Sequence, residues 1–213
     1  REAPMNPEPW EDVMADLEHK IMPGITHWQH PHFHAYFPSP ISYPAVLGDM
    51  LSDIIGCLGF SWVASPAITE LETIVLDWFG KAIGLPPSFL SESNGGGVLQ
   101  GSASECVLVS MLAAREQALS RLNEENLSDH KASHLPKLVA YCSMEAHSCV
   151  EKAAMISLVT LRKLEPDSNS SLRGSILSKA IEEDEAKGLI PFMVLATLGS
   201  TGSCSFDNLE ELG

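Results

Sequence analysis

From Leu138 onward, short apolar runs alternate with amphipathic stretches, and no other feature restricts the fold of this chain so strongly. Leu138-Val139-Ala140-Tyr141-Cys142, Leu158 to Leu164 and Ile190 to Leu198 read as strands. Ser148 to Ile156 and Leu172 to Lys187 read as helices, the second stopped by Gly188. Apolar strands separated by helices build a largely parallel, buried sheet, so the pattern predicts an α/β architecture. Upstream, Val46, Leu47, Met50, Leu51, Ile54, Ile55 and Leu58 recur at helical spacing and end near Gly56 and Gly59. Ser65-Pro66 is a cap and first-turn pair for a second helix, Ile68 to Ile83, closed by Gly84. A third helix, Glu105 to Leu122, leaves a glycine-rich loop and is followed by a polar stretch, Asn123 to Ser133, that reads as surface. Residues 1–40 are different: rich in proline, histidine and aromatics, with helical spacing confined to Pro9–Met22. They read as a segment that wraps onto something else.

Charge removes several classes of partner. The chain has 213 residues, with 13 basic and 28 acidic side chains giving a formal charge of −15. Nucleic acid and anionic membrane surfaces both need a basic face, so neither is expected as a partner. No apolar run approaches the ~20 residues of a membrane span, and no signal-peptide core is visible. Five cysteines (Cys57, Cys106, Cys142, Cys149, Cys204) form no CxxC pair and are odd in number. They read as free thiols of a reducing compartment, which points to a cytoplasmic location. The chain starts at Arg1, has its first methionine at Met5, and stops at Gly213 just after a helix-like start. A piece of a longer chain is therefore expected, with Ile190 to Leu198 as an apolar sheet edge.

Four places could carry chemistry. Asn94-Gly95-Gly96-Gly97-Val98-Leu99-Gln100-Gly101-Ser102-Ala103-Ser104 puts backbone N–H groups and two hydroxyls at a helix start, where an anion such as phosphate fits. It is neither a P-loop nor a G-x-G-x-x-G dinucleotide pattern, and a flexible loop with an ordinary serine cap is the plain alternative. His147 follows a strand's C-terminal end, where open α/β sheets place ligands; its flat ring could stack on another ring or move a proton. A helix-capping or surface histidine is the alternative there. His27, His30, His32 and His34 are spaced to admit a metal, yet no Cys, Asp or Glu lies beside them and Trp28, Phe33, Tyr36 and Phe37 are interleaved, so packing is favoured and no metal is expected. Ala196 to Gly202 ends the last strand with small residues and hydroxyls, suited to a ligand or to a plain loop exit. The acidic run Glu182-Glu183-Asp184-Glu185 reads as a solvated helix face. These residues alone do not give a reaction.

Longer segments do. Ile21 to Trp28, Ala35-Tyr36-Phe37-Pro38, Gly59-Phe60-Ser61-Trp62, Ser65 to Glu72, Gly95 to Glu105 and Ala146-His147-Ser148 resemble the pyridoxal-phosphate-dependent aromatic amino-acid decarboxylases (group II decarboxylases) along essentially the whole chain. Ser104 to Val109, Glu145 to Ile156, Leu164 to Asp167 and Ser171 to Gly174 look most like the tyramine-forming tyrosine decarboxylases of invertebrates. The resemblance implies the pyridoxal-phosphate-dependent transferase fold of the type I aminotransferases, incomplete here at both ends. Residues 1–42 would be an N-terminal segment packing on a dimer partner, and 43–213 the first part of the large cofactor domain. It implies decarboxylation of an aromatic L-amino acid, tyrosine to tyramine, through an imine with pyridoxal 5′-phosphate, whose ring takes up the electron pair. Dopa or 5-hydroxytryptophan are the alternative substrates, and then histidine, since histidine decarboxylases usually replace the Gly-Ser-Ala-Ser of the loop. Ala103 and Ser104 would hold the phosphate, His147 would stack on the pyridine ring, and Thr201 would lie beside the cofactor. Trp28, Tyr36, Phe37 and Ser39 would line the substrate pocket, with Leu58 and Phe60 contributed across a homodimer interface. Relatives that make aldehydes tend to carry asparagine at the position of His147.

The chain also departs from the family pattern. Met144-Glu145 stand where Asp-Gln is frequent, and Ser200 stands where threonine is usual. The Schiff-base lysine after Asn-Pro and the pyridine-nitrogen aspartate in His-Val-Asp-Ala-Ala do not occur in these residues, so the 213 residues as they stand should be inactive. A non-catalytic truncated homologue that regulates a full-length partner is the rival from another class. An open reading frame reaching Asn-Pro-x-Lys separates the two.

Overall fold

The computed structural model describes residues 3–37, 41–125 and 130–213. They fall into two compact units, 1–57 and 58–213.

In the first unit, helix α1 (Trp10–Asp16) loosens into a π-helical turn, Leu17–Ile21, and a 3-10 turn, Met22–Gly24, where Pro23 supplies no donor. Helix α2 (Tyr43–Ile55) begins with Ser42 Oγ accepting from the Ala45 N–H at 3.3 Å. It ends on Gly56 in the left-handed region, φ +58°, whose N–H returns to Ser52 O. The apolar stripe read from the sequence is present on α2, yet Val46, Leu47, Met50, Leu51, Ile54 and Ile55 are all exposed. No described residue of this unit is buried.

The second unit carries the core. Helix α3 (Pro66–Ala82) starts two residues earlier than the periodicity suggests, with Pro66 in its first turn. Ser65 occupies the cap position, but its side chain makes no capping bond. Helix α4 (Ala103–Glu125) runs into the stretch Asn123–Ser133 read as a surface loop, and a 3-10 turn, Lys131–Lys137, begins in it and extends beyond it; residues 126–129 of that stretch lie outside the described residues. Strand β1 (Leu138–Ser143), helix α5 (Cys149–Ser157), strand β2 (Thr160–Leu164), helix α6 (Gly174–Glu185), strand β3 (Ile190–Leu195) and the short helix α7 (Leu209–Leu212) complete the chain. The sheet order is β2-β1-β3, with both pairings parallel, as the alternation requires.

Two strands are shorter than their apolar runs. Leu158 is left-handed (φ +56°) and closes α5, so β2 starts at Thr160. Leu198 leaves the sheet to bridge Phe206 in an antiparallel turn, so β3 stops at Leu195. Pro191, without an N–H, sits beside a register shift opposite Val139/Ala140, on an edge strand that tolerates it.

Side chains of β1 alternate between two cores, as a strand buried on both faces must. Leu138 and Cys142 join Met111, Ala118 and Leu119 of α4 and Val150, Ala153 and Ala154 of α5. Val139 and Tyr141 face Leu177 and Ala180 of α6 with Leu172. The acidic run does not form a uniformly solvated face. Glu182, Glu183 and Glu185 are exposed, but Asp184 is 3% exposed because its place on α6 faces β1. It accepts from Tyr141 Oη at 3.1 Å and pairs with Arg162 at 2.9 Å and Lys187 at 3.2 Å. Burial works to raise its pKa, and the bonds from Arg162, Lys187 and Tyr141 outweigh that and hold it below the usual value. Burial, and then the bond to Asp184, push the Tyr141 phenol well above its ordinary value.

Candidate functional site

All three strands run parallel, so their C-terminal ends share one edge. At the end of β1, the connection Met144–Ser148 leads into α5. His147 is exposed there, and its Nδ1 accepts from the Cys149 N–H at 3.2 Å. With Nδ1 accepting, Nε2 is the ring nitrogen left to donate. Two residues earlier, the Glu145 N–H donates to the buried Ser143 Oγ at 3.1 Å.

At the end of β3, the Asp207 carboxylate accepts from two backbone amides: Thr197 at 2.7 Å and Leu172 at 2.9 Å. It is 5% exposed and ties the exit of β3 to the entry of α6. Beyond it, Leu198 and Phe206 close a hairpin in which the Gly199 and Ser200 N–H groups both donate to Ser205 O at 2.9 Å. Thr201 is exposed near the tip. The hairpin meets the His147 connection through Ser203 Oγ, which donates to Glu145 Oε2 at 2.9 Å.

The first turn of α4 reaches the same edge. From Glu125 the chain returns through Lys131–Lys137 directly into the start of β1, and Leu122 and Leu135 pack in one core cluster with Leu138. Helix α4 therefore runs antiparallel to β1, with its N-terminus toward the strands' C-terminal ends. Ser102 Oγ caps it by accepting from the Glu105 N–H at 3.2 Å. Ala103 and Ser104 are its first two residues, both exposed.

The three consecutive glycines do a different job from the one their spacing suggests. The Gly95 N–H is taken by Ser93 Oγ at 3.0 Å, and the Leu99 N–H by Glu72 Oε1 at 2.8 Å. A Cβ on Gly95 would lie 2.1 Å from Ser88 O, and one on Gly97 3.1 Å from Leu76. The triplet thus lets the loop lie against α3 and the turn Pro87–Phe89. Donors at the α4 end lie where roughly half a positive charge accumulates, which suits an anion.

The aromatic residues are distributed between the units. In the first, Trp28 stacks with Phe33 and Tyr36 at centroid distances of 5.8 and 5.5 Å, and Tyr36 (φ +60°) and Phe37 are exposed. Ser39 lies outside the described residues. Leu58 and Phe60 are exposed at the start of the second. His27 meets His30 edgewise with centroids 5.8 Å apart, and His30 lies tilted against His32 at 5.6 Å. Among the described residues no group of three or more His, Cys, Asp or Glu is arranged to hold a metal. All five cysteines are free, and burial pushes the Cys142 thiol up to about 11. Among the described residues no helix is long and apolar enough to cross a membrane.

Sequence reasoning noted Glu145 only as a departure from the family pattern beside His147, and missed Ser203 and Asp207 as parts of this edge. Asp207 directly follows an aromatic after a small-residue turn, but its partners are 35 and 10 residues away, and no local pattern marks that.

Comparison with known proteins agrees with this geometry. The pyridoxal-dependent decarboxylase conserved domain matches residues 1–213. The chain is 57% identical to the histidine decarboxylase of Drosophila melanogaster, over 99% of this chain and 25% of that protein. It is 54% identical to the aromatic-L-amino-acid decarboxylase of Mus musculus, over 99% of this chain and 44% of that one. The crystal structure of Catharanthus roseus tryptophan decarboxylase in complex with L-tryptophan superposes with a TM-score of 0.90 at 38% identity, covering 99% of this chain and 44% of that one. The chain thus spans a quarter to just under half of the relatives it matches. Its parallel sheet and flanking helices are those of the aminotransferase-like decarboxylases, whose cofactor is pyridoxal phosphate. The chain belongs to the pyridoxal-dependent decarboxylase family.

Proposed function

We propose that the protein carrying this chain decarboxylates an aromatic L-amino acid, converting L-tyrosine to tyramine. The observation that carries the reading is the exposed His147 ring, held by Cys149 N–H at the strand edge that the first turn of α4 also reaches. The residues present fit pyridoxal phosphate: first-turn amides and the Ser104 hydroxyl suit its phosphate, and the His147 ring suits its pyridine face. Bound there, the cofactor supplies the electron sink for loss of carbon dioxide. Ala103 and Ser104 bind the phosphate at the positive end of α4. His147 orients the ring by stacking, and Thr201 lies beside it. Trp28, Tyr36, Phe37 and Ser39 select an aromatic side chain. Residues 1–42 pack on a second subunit, and Leu58 and Phe60 complete the partner's pocket. The exposed apolar side chains of the first unit, with no described residue buried, support a homodimer of this kind.

Histidine is the second reading, favoured by the 57% identity to a histidine decarboxylase against 54% to an aromatic one. Both proposals are tested by expressing the natural open reading frame with pyridoxal phosphate and offering L-tyrosine, L-dopa, L-5-hydroxytryptophan and L-histidine separately. Fastest release of tyramine is expected. Histamine as the dominant product overturns the tyrosine reading, and no amine from any of the four overturns decarboxylation itself. In the same protein, His147→Asn is expected to shift product from amine toward aldehyde and hydrogen peroxide. Unchanged product ratios would remove His147 from that role.

A further inference from the structure

Two of the positions where the chain departs from its family's pattern, Glu145 and Ser200, lie on one hydrogen-bonded path. Ser203 Oγ lies 2.9 Å from Glu145 Oε2 and 2.7 Å from Ser200 Oγ. Ser205 Oγ lies 2.9 Å from Ser200 Oγ and 3.0 Å from Ser203 Oγ, and the Ser205 N–H donates to Ser200 Oγ at 3.2 Å. Proton bookkeeping orders the path. An ionised carboxylate only accepts, so the single Ser203 proton goes to Glu145. Ser203 must then receive from Ser200, and Ser200 receives in turn from Ser205. Ser200 is 2% exposed, so a hydroxyl left without a partner there would be costly. The carboxylate therefore gives the network its direction and keeps every hydroxyl satisfied.

This path joins two connections that arise from different strands. Glu145 belongs to the connection that carries His147, and Ser200 and Ser203 to the hairpin that carries Thr201. Glu145 is itself anchored to β1 through the buried Ser143. We infer that Glu145 is a positioning residue which, through Ser203 and Ser200, fixes the Thr201 hairpin against the His147 connection and so sets the gap that the cofactor ring enters. The inference rests on the decarboxylase reading above and adds to it residues that touch neither substrate nor cofactor.

The test uses the protein from its natural open reading frame, stripped of cofactor, with pyridoxal phosphate as the probe. Affinity is read by fluorescence titration, ring orientation by the visible circular dichroism of the bound cofactor, and integrity by thermal melting without cofactor. Glu145→Ala and Ser203→Ala are each expected to weaken binding roughly three- to tenfold, the range of one ordinary hydrogen bond, and to reduce the visible dichroism. The double variant should be no worse than the worse single one, since both remove the same link. Glu145→Gln, whose carboxamide oxygen can still accept from Ser203, should recover most of the affinity. Melting of the cofactor-free protein should stay within a degree or two throughout. Additive losses, a Gln variant as weak as the Ala one, or melting that falls in step with affinity would each overturn the inference. Saturable binding by the unaltered protein with indifferent variants overturns it alone. No saturable binding by the unaltered protein overturns the decarboxylase reading and the inference together.

Discussion

Helix α4 lies against the sheet through Met111, Ala118 and Leu119, whereas α6 adds charge at both of its ends to its apolar contacts. Near its C-terminus, α6 buries Asp184 among Tyr141, Arg162 and Lys187. At its N-terminus the Gly174 N–H donates to Glu211 Oε2 at 3.1 Å, and Glu211 is clasped by Arg173, which also reaches Asp167 at 3.3 Å. A Cβ on Gly174 would lie 2.3 Å from Glu211 O, so glycine is what allows α7 this close. The first turn of α6 is thus already occupied by a carboxylate of the chain itself. The first turn of α4 also has a carboxylate, its own Glu105, which folds back toward Gly101 beside the Ser102 cap. Two helices on opposite faces of one sheet end at the same edge, and their carboxylates differ in origin: Glu211 comes from another helix and accepts the Gly174 N–H, whereas Glu105 belongs to α4 itself and lies toward Gly101. Apolar packing does not consume a helix's terminal charge; a carboxylate that accepts from a first-turn N–H does.

The largest expected effect falls on α6. Asp184→Ala leaves Tyr141 and Arg162 without their buried acceptor and should cost about 3 kcal/mol, as breaking a buried charge pair usually does. Because its pKa is lowered in the folded chain, the contribution of Asp184 is present above the unfolded carboxylate value and disappears as pH falls through the folded one. Urea unfolding of the unaltered protein should therefore weaken below about pH 4, and the variant should lose that part of the slope. Met111→Ala, fully buried on the α4 side, should cost a similar ~3 kcal/mol by leaving a cavity, but equally at every pH. Equal acid dependence in both variants would erase the contrast between the faces.

The next effect falls on the other helix start. Ala103→Asp adds a second carboxylate to the first turn of α4, beside Glu105. The helix should be no less stable, while pyridoxal phosphate affinity should fall on the order of a hundredfold, because two anions would compete for one site. Fluorescence titration beside thermal melting separates the two quantities. A loss smaller than threefold would move the phosphate away from α4.

Periodicity made most of this architecture legible before any coordinates. The alternation of strands and helices, the parallel sheet and the helix α2 stripe all follow from spacing that local sequence carries. Element ends were less legible, since they depend on remote partners: β3 stops early because the Thr197 N–H goes to Asp207, and α5 ends where Leu158 turns left-handed. The acidic run illustrates the same limit. Four consecutive acidic residues look alike in a sequence, and only the phase of α6 against Tyr141 selects Asp184 for burial. Residues at the candidate site divide in the same way. His147 and Ser104 sit in recognisable local contexts, a strand exit and a helix start. The Glu145–Ser203 contact spans 58 residues and becomes visible only when two strand ends are brought together.

The smallest effect sharpens the comparison at the closed turn. Glu211→Gln keeps the shape of the contact to Arg173 and Gly174 but removes its charge. The bond from Arg173, and then that from the Gly174 N–H, hold the Glu211 pKa below its ordinary value, so its stabilising contribution exists above the unfolded glutamate value and is lost on acidification. The variant should melt roughly a degree or two lower at neutral pH, consistent with an exposed, salt-screened pair, and should match the unaltered protein in strong acid. With the negative charge gone, the first turn of α6 would no longer repel an outside anion. A second, weak phosphate site appearing in titrations of Glu211→Gln, absent from the unaltered protein, would show that the Glu211 charge bonded to the Gly174 N–H is what separates α6 from α4. Identical phosphate binding in both proteins would place the difference elsewhere, in the hydroxyls of Ser102 and Ser104.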